Sequence, residues 1–221
     1  MQAETLADLE GPEERHAAAR SLAYISFAQM FEYPDAETEA EIRAGRLAAR
    51  LRDALAAVDP TLVANGDWEA LHDAGEADDL AVEFTRLFDV GAGGPPCPLH
   101  GGLYHGARMK TMEEAVRFYN HFGLTLSEAP RELPDHLTTE LEFLHFLTYR
   151  EAETLAAGGD PGPWQRAQRD FVSRHPARWV PKLRERLEAA EPMPFFRELV
   201  ARLTSFIAGE AERLKDVPTI R

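Results

Sequence analysis

The chain has 221 residues, with 38 Asp and Glu against 24 Lys and Arg, and a formal net charge of −14 at pH 7. That field repels a phosphate backbone and makes nucleic acid an unexpected partner, while a 44% hydrophobic share supplies one substantial core without any run of the roughly 18 to 20 apolar residues a membrane span requires, so no membrane insertion is expected. Residues Met1 to Arg20 carry five acids and no apolar block behind a basic start, and the single cysteine, Cys97, forms no internal disulfide; both features predict residence in the cytoplasm.

Residues 1–12 are expected to be disordered. Leu22, Tyr24, Ile25, Phe27, Ala28, Met30 and Phe31 then give a broad helical face over Glu13–Phe31, stopped by Pro34. A second helix is expected from an N-cap at Asp35 to Val58, with Ile42, Leu47, Leu51 and Leu55 at helical spacings and a stop at Asp59-Pro60. A short turn at Trp68 and Leu71 precedes a helix over Asp78–Phe88 that aligns Leu80, Phe84 and Leu87. Between Gly91 and Gly106 nine of sixteen residues are Gly or Pro, a density that no helix or central strand tolerates, which predicts a long ordered loop.

Helical periodicity resumes over Met109–Phe122, and residues 124–134 form a hinge connector. Pro134 suits the first position of the next helix, which runs to about Ala156 with apolar stripes on two sides and is therefore expected to be central. Three more helices are expected over Pro163–Arg174, Pro176–Ala190 and Phe195–Leu214. Strand alternation and a repeat of fixed period are both lacking, so the predicted fold is all-α, a single domain with N-terminal and C-terminal helical groups joined by the connector.

Two chemical readings compete with a binding role. Glu69/His72 and Glu142/His145 are Glu-x-x-His pairs of the kind that ligate di-iron in helical bundles, and Cys97, His100 and His105 offer a thiolate and two imidazoles to zinc. A small helical metalloprotein is thus the alternative class. Acid-rich chains produce such pairs readily, the second cysteine of a closed zinc site is missing, and no phosphate-cradling loop or nucleophile elbow occurs. The expectation is a protein that binds and does not catalyse, with neither a metal nor a cofactor of its own.

Three segments carry a more specific message. Glu83-Phe84-Thr85-Arg86-Leu87-Phe88 runs into the loop Gly91-Ala92-Gly93-Gly94-Pro95-Pro96-Cys97-Pro98-Leu99-His100-Gly101-Gly102-Leu103-Tyr104; Leu133-Pro134-Asp135-His136-Leu137 leads into Glu140-Leu141-Glu142-Phe143-Leu144; and His175-Pro176-Ala177-Arg178-Trp179-Val180-Pro181 follows. In this order, from about Ala18 to Leu214, the chain resembles the TorD/DmsD/NarJ family of redox-enzyme maturation chaperones. The Pro-Pro-Cys-Pro-Leu-His-Gly-Gly loop is most similar to the branch serving type II enzymes of the dimethyl sulfoxide reductase family.

The resemblance implies a dedicated chaperone that holds the catalytic subunit of a molybdopterin-containing oxidoreductase during cofactor insertion, and that binds its twin-arginine leader before export. It also implies a monomer or a helix-swapped dimer. The residues fit binding: Glu83 and Arg86 pair at i, i+3 beside the apolar face of Phe84 and Phe88. Asp135 and His136, expected in the first helical turn after Pro134, with Glu140 one turn on, offer acceptors to a cationic guest. The resemblance puts the Asp-His connector at the border of the leader pocket. Cys97, His100, Tyr104 and His105 are possible loop contacts, and His175, Trp179 and Pro181 are read as a structural motif with Trp179 anchoring the last helices.

Overall fold

The computed structural model describes residues 11–76, 78–125 and 133–218. Among the described residues ten α-helices account for the architecture: α1 (Pro12–Met30), α2 (Ala36–Arg43), α3 (Arg46–Val58), α4 (Thr61–Ala64), α5 (Asp79–Phe84), α6 (Arg108–His121), α7 (Leu137–Ala156), α8 (Gly162–Arg174), α9 (Pro176–Ala189) and α10 (Pro194–Leu214). Among the described residues there is no strand, only an isolated antiparallel bridge between His100 and His136. Among the described residues no helix is long and apolar enough to cross a membrane. Most of the expected disorder at 1–12 lies outside the described residues, but α1 already begins at Pro12.

Helix α1 is buried on nearly every face because its side chains are small or apolar all round: Ala17, Ala18, Ala19 and Ala23 alternate with Leu22, Phe27 and Met30. Such a helix belongs at the centre of a bundle. It packs along α7 and also meets α3 and α10, while α10 lies against α8 and α9. One apolar cluster runs through all of these, from Leu22 to Leu214.

The expected helix from Asp35 to Val58 is two helices. Gly45 adopts φ 71°, a left-handed conformation that a side chain disfavours, and the chain turns there between α2 and α3. A methyl group at Gly45 would also lie 3.1 Å from the His72 ring, so the bend is packed as well as permitted. Asp35 is the predicted N-cap, its carboxylate accepting from the Thr38 amide at 2.8 Å.

Sequence periodicity gave no sign of the polar core. Arg20, fully buried on α1, donates to Glu210 on α10 at 2.6 to 2.9 Å, to Glu151 on α7 at 2.9 Å, and to the Gln168 amide oxygen on α8. Tyr24 and Arg213 also donate to Glu210, and Gln168 to Glu151. Burial alone would raise Glu210, but the Arg20 and Arg213 guanidiniums outweigh it and hold the carboxyl at about 2. Four helices are thereby fixed in one register. Removing Arg20 would strand two buried carboxylates, a loss of about 3 to 5 kcal/mol.

Candidate functional site

The site is assembled where the end of α1, the end of α5, the Gly/Pro loop and the start of α7 meet. After Phe31 caps α1, Pro34 prevents continuation and turns Glu32 and Tyr33 outward. Helix α5 does not stop at Phe84 but widens into a π-helical turn over Thr85–Asp89, closed by the Val90 amide donating to the Thr85 carbonyl at 3.0 Å. Phe84 and Phe88 then stack edge to face at 5.0 Å, and both rest on Phe196 of α10.

The Gly/Pro loop is tied down at both halves. Cys97 donates its amide to the Leu87 carbonyl at 2.9 Å, while the Gly101 amide reaches the Asp135 carbonyl and the Leu137 amide the Leu99 carbonyl, each at 2.8 Å. A 3₁₀ turn at Gly101–Leu103 follows. The Asp135 side chain, wholly buried, accepts from the Gly102 amide at 3.1 Å and faces His100 Nδ1 at 3.4 Å, longer than a well-formed hydrogen bond. Burial would raise the Asp135 pKa, but the His100 imidazole, the Gly102 amide and the Arg108 charge together hold it below the usual carboxylate range.

These bonds correct the expected start of α7. Pro134 is not the first helical residue, and Asp135 and His136 are not in the first turn. The helix begins at Leu137, and His136 is its N-cap, with Nδ1 accepting from the Thr138 amide at 3.4 Å. The cause is competition for the backbone: Asp135 and Leu137 have already committed a carbonyl and an amide to the loop. Burial pushes His136 down to about 3, so it is a neutral acceptor. Leu133 and Pro134 of the connector are described, and residues 126–132 lie outside the described residues.

A cleft of about 180 Å³ results, lined by Phe31, Glu32, Tyr33, Phe84, Phe88, Asp89, Leu99, His100, His136 and Thr138. Four expected site residues, Phe84, Phe88, His100 and His136, thus meet in one place. Tyr33 is 54% exposed and Val90, just beyond Asp89, 57%, so apolar surface continues outward from the mouth. The carboxylates at the cleft are Glu32 and Asp89, both at the exposed edge. Periodicity placed Phe31 on the α1 face but did not single out Glu32, Tyr33 or Asp89; the one available signal was the Phe-Glu-Tyr-Pro helix end, which sets Tyr33 beyond α1, where its ring packs on Phe84 at 5.6 Å.

Other expected site residues lie elsewhere. Glu83 and Arg86 form a bidentate pair at 2.6 and 2.8 Å, and both are committed to the α9–α10 turn: Glu83 accepts from the Met193 amide at 2.9 Å, and Arg86 donates to the Ala190 carbonyl at 3.1 Å. Glu140 faces away from the cleft and accepts from the Trp179 indole at 2.9 Å with no exposed surface. Tyr104 stacks on Trp179 at 5.3 Å and carries the Arg186 guanidinium on its ring at 4.3 Å. His175 and Trp179 are wholly buried, whereas Pro181 sits exposed inside α9.

The metal readings find no support in the geometry. Burial drives the Cys97 thiol up to about 11, an apolar, protonated side chain. Glu142 is exposed, and His145 is turned to Ser21. Among the described residues no group of three or more His, Cys, Asp or Glu is placed to hold a metal ion.

Comparison with known proteins agrees with the residue pattern. A family profile described as nitrate reductase delta subunit matches residues 43–185. The chain is 34% identical over 202 residues to the chlorate reductase assembly chaperone protein of Ideonella dechloratans, covering 90% of this chain and 92% of that one. It is 36% identical over 201 residues to the selenate reductase assembly chaperone protein of Thauera selenatis, with 88% and 92% covered. The perchlorate reductase assembly chaperone protein of Dechloromonas aromatica is 32% identical over 201 residues, with 89% and 90% covered. The chain belongs to the nitrate reductase delta subunit family, the TorD/NarJ class of assembly chaperones.

Proposed function

We propose that the chain is a cytoplasmic, system-specific chaperone for the catalytic subunit of a molybdopterin-containing oxidoreductase of the dimethyl sulfoxide reductase family. It binds that subunit and its twin-arginine leader before export and carries out no chemistry of its own. The convergence of the α1 end, the Phe84–His100 stretch and the His136–Thr138 helix start on one aromatic cleft with carboxylates at its edge is the observation that supports this reading. A leader presents paired arginines followed by apolar residues. Glu32 and Asp89 suit the first, and Phe84, Phe88 and Tyr33 suit the second. The names of the relatives support an oxidoreductase subunit as client.

The reading is tested with the cofactor-free catalytic subunit of a molybdopterin-containing oxidoreductase from the same organism, purified with and without its leader. Co-elution of the precursor with the chaperone in size-exclusion chromatography is expected, and it weakens when the leader is removed. Failure of the precursor to co-elute at concentrations well above micromolar would remove the proposed client.

A further inference from the structure

A second concavity, of about 560 Å³, lies between α6 and α8 and shares no lining residue with the cleft. Its floor is aromatic: Phe118 and Phe122, one turn apart on α6, are backed by Phe171 at 5.2 Å and Trp164 at 5.4 Å. Its rim is cationic. Arg117 on α6 is faced by Arg166 and Arg169 from α8, with His121 one turn beyond Arg117. Arg117 meets Glu113 at 4.0 Å, the loose end of an ion pair. Among the described residues the one carboxylate in this lining is Asp170, which Arg169 holds at 2.7 Å. On a chain of net charge −14, a groove edged by positive charge is a local reversal of sign.

The backbone discriminates between guests. A phosphate at a helix start is held by free amides, and those of α8 are already engaged. Gly162 donates to Asp160 at 2.9 Å, Pro163 has no N–H, and the amides of Trp164 and Gln165 go to the Pro161 carbonyl at 3.0 and 3.1 Å. Arg169 is committed to Asp170 and the Val217 carbonyl, so what the groove offers is the guanidinium forks of Arg117 and Arg166, which match carboxylates, above ring faces, which take an apolar side chain. We propose that the α6–α8 groove is a docking surface for an acidic segment of a partner polypeptide that also presents an aromatic or leucine side chain to Phe118 and Phe122. The guest is opposite in charge to the one the cleft suits, so the two surfaces accept different parts of a partner.

The test is fluorescence anisotropy of a labelled probe peptide in which Glu and Asp alternate with Phe and Leu, titrated with the full chain. Binding that weakens with salt is expected, together with a loss of about tenfold or more when Arg117→Glu is combined with Arg166→Glu. Replacing the acids of the probe by lysine restores affinity for that double variant. Both arginines are on the rim, and circular dichroism checks that the helices persist. Tyr33→Ala, in the cleft, leaves the acidic probe unaffected, so failure here is distinct from failure of the leader reading. Equal affinity for the wild type and the double variant overturns the proposal. So does displacement of the probe by inorganic phosphate at low millimolar concentration, which indicates a small-anion site, or loss of binding on Tyr33→Ala, which places the probe in the cleft.

Discussion

Glu140 and His175 lie 3.7 Å apart with no exposed surface, and burial moves them in opposite directions. Desolvation raises Glu140 well above 4.5 and lowers His175 to about 4, so the pair is neutral at pH 7. The signs of their effects on stability differ. The unfolded His175 takes a proton below 6.5 and the folded one only near 4, so its contribution is present above 6.5 and fades as pH falls between those values; His136, lowered to about 3, behaves alike. Glu140 contributes below 4.5, and the contribution is lost as pH rises. Glu140→Gln keeps an acceptor for the Trp179 indole and removes the ionisation. The variant is therefore expected to be more stable than the wild type at pH 8, by on the order of 1 kcal/mol or more, with the gain shrinking towards pH 4.5. Urea unfolding at both pH values reads this, and a variant less stable at pH 8 contradicts the neutral pair. None of it was legible from spacing: His136 and Glu140 share a helical face on paper, but the N-cap turns one towards the cleft and the bundle takes the other.

At the scale of elements, the loop over Gly91–Gly106 and its being ordered were legible from its glycines and prolines, whereas the contacts that anchor it were not. The second half is anchored to partners more than thirty residues away in sequence, Asp135 and Leu137, which no local rule detects. Two adjacent glycines exist for close approach. A methyl group on Gly101 would stand 2.8 Å from the Trp179 indole nitrogen, and one on Gly102 would stand 2.8 Å from an Asp135 carboxylate oxygen. Gly101→Ala therefore forces the loop off Trp179, a rigid and wholly buried ring, at a cost of about 1 to 3 kcal/mol. Because the displaced loop carries His100 into a new position, leader affinity is expected to fall with stability. Thermal unfolding and peptide titration of the same sample check both, and an unchanged melting temperature would mean the loop yields freely. The split at Gly45 was hidden for a related reason: its apolar pattern continues unbroken from Ile42 to Leu47, and only the backbone angle reveals the turn.

At the scale of the whole molecule, the fold class and eight helical stretches followed from periodicity, because mostly amphipathic or wholly apolar segments leave few other ways to bury a core; the α2–α3 split and the short α4 did not. Which faces meet was not legible. The Arg20 to Glu210 contact spans 190 positions, and the cleft joins α1, α5, the loop and α7 through pairings that only the packed bundle defines. The four motif residues in the cleft, Phe84, Phe88, His100 and His136, were found through resemblance; the bundle added Tyr33, Glu32 and Asp89. The central claim is that this cleft holds a twin-arginine leader. Isothermal titration with a synthetic peptide carrying Arg-Arg before a Leu/Phe/Ala run, against the wild type, Tyr33→Ala and Asp89→Lys, tests it most directly. Saturable binding to the wild type is expected, with weakening of about tenfold in each variant and a further loss when Gln-Gln replaces Arg-Arg. Equal affinity across all three proteins would contradict it.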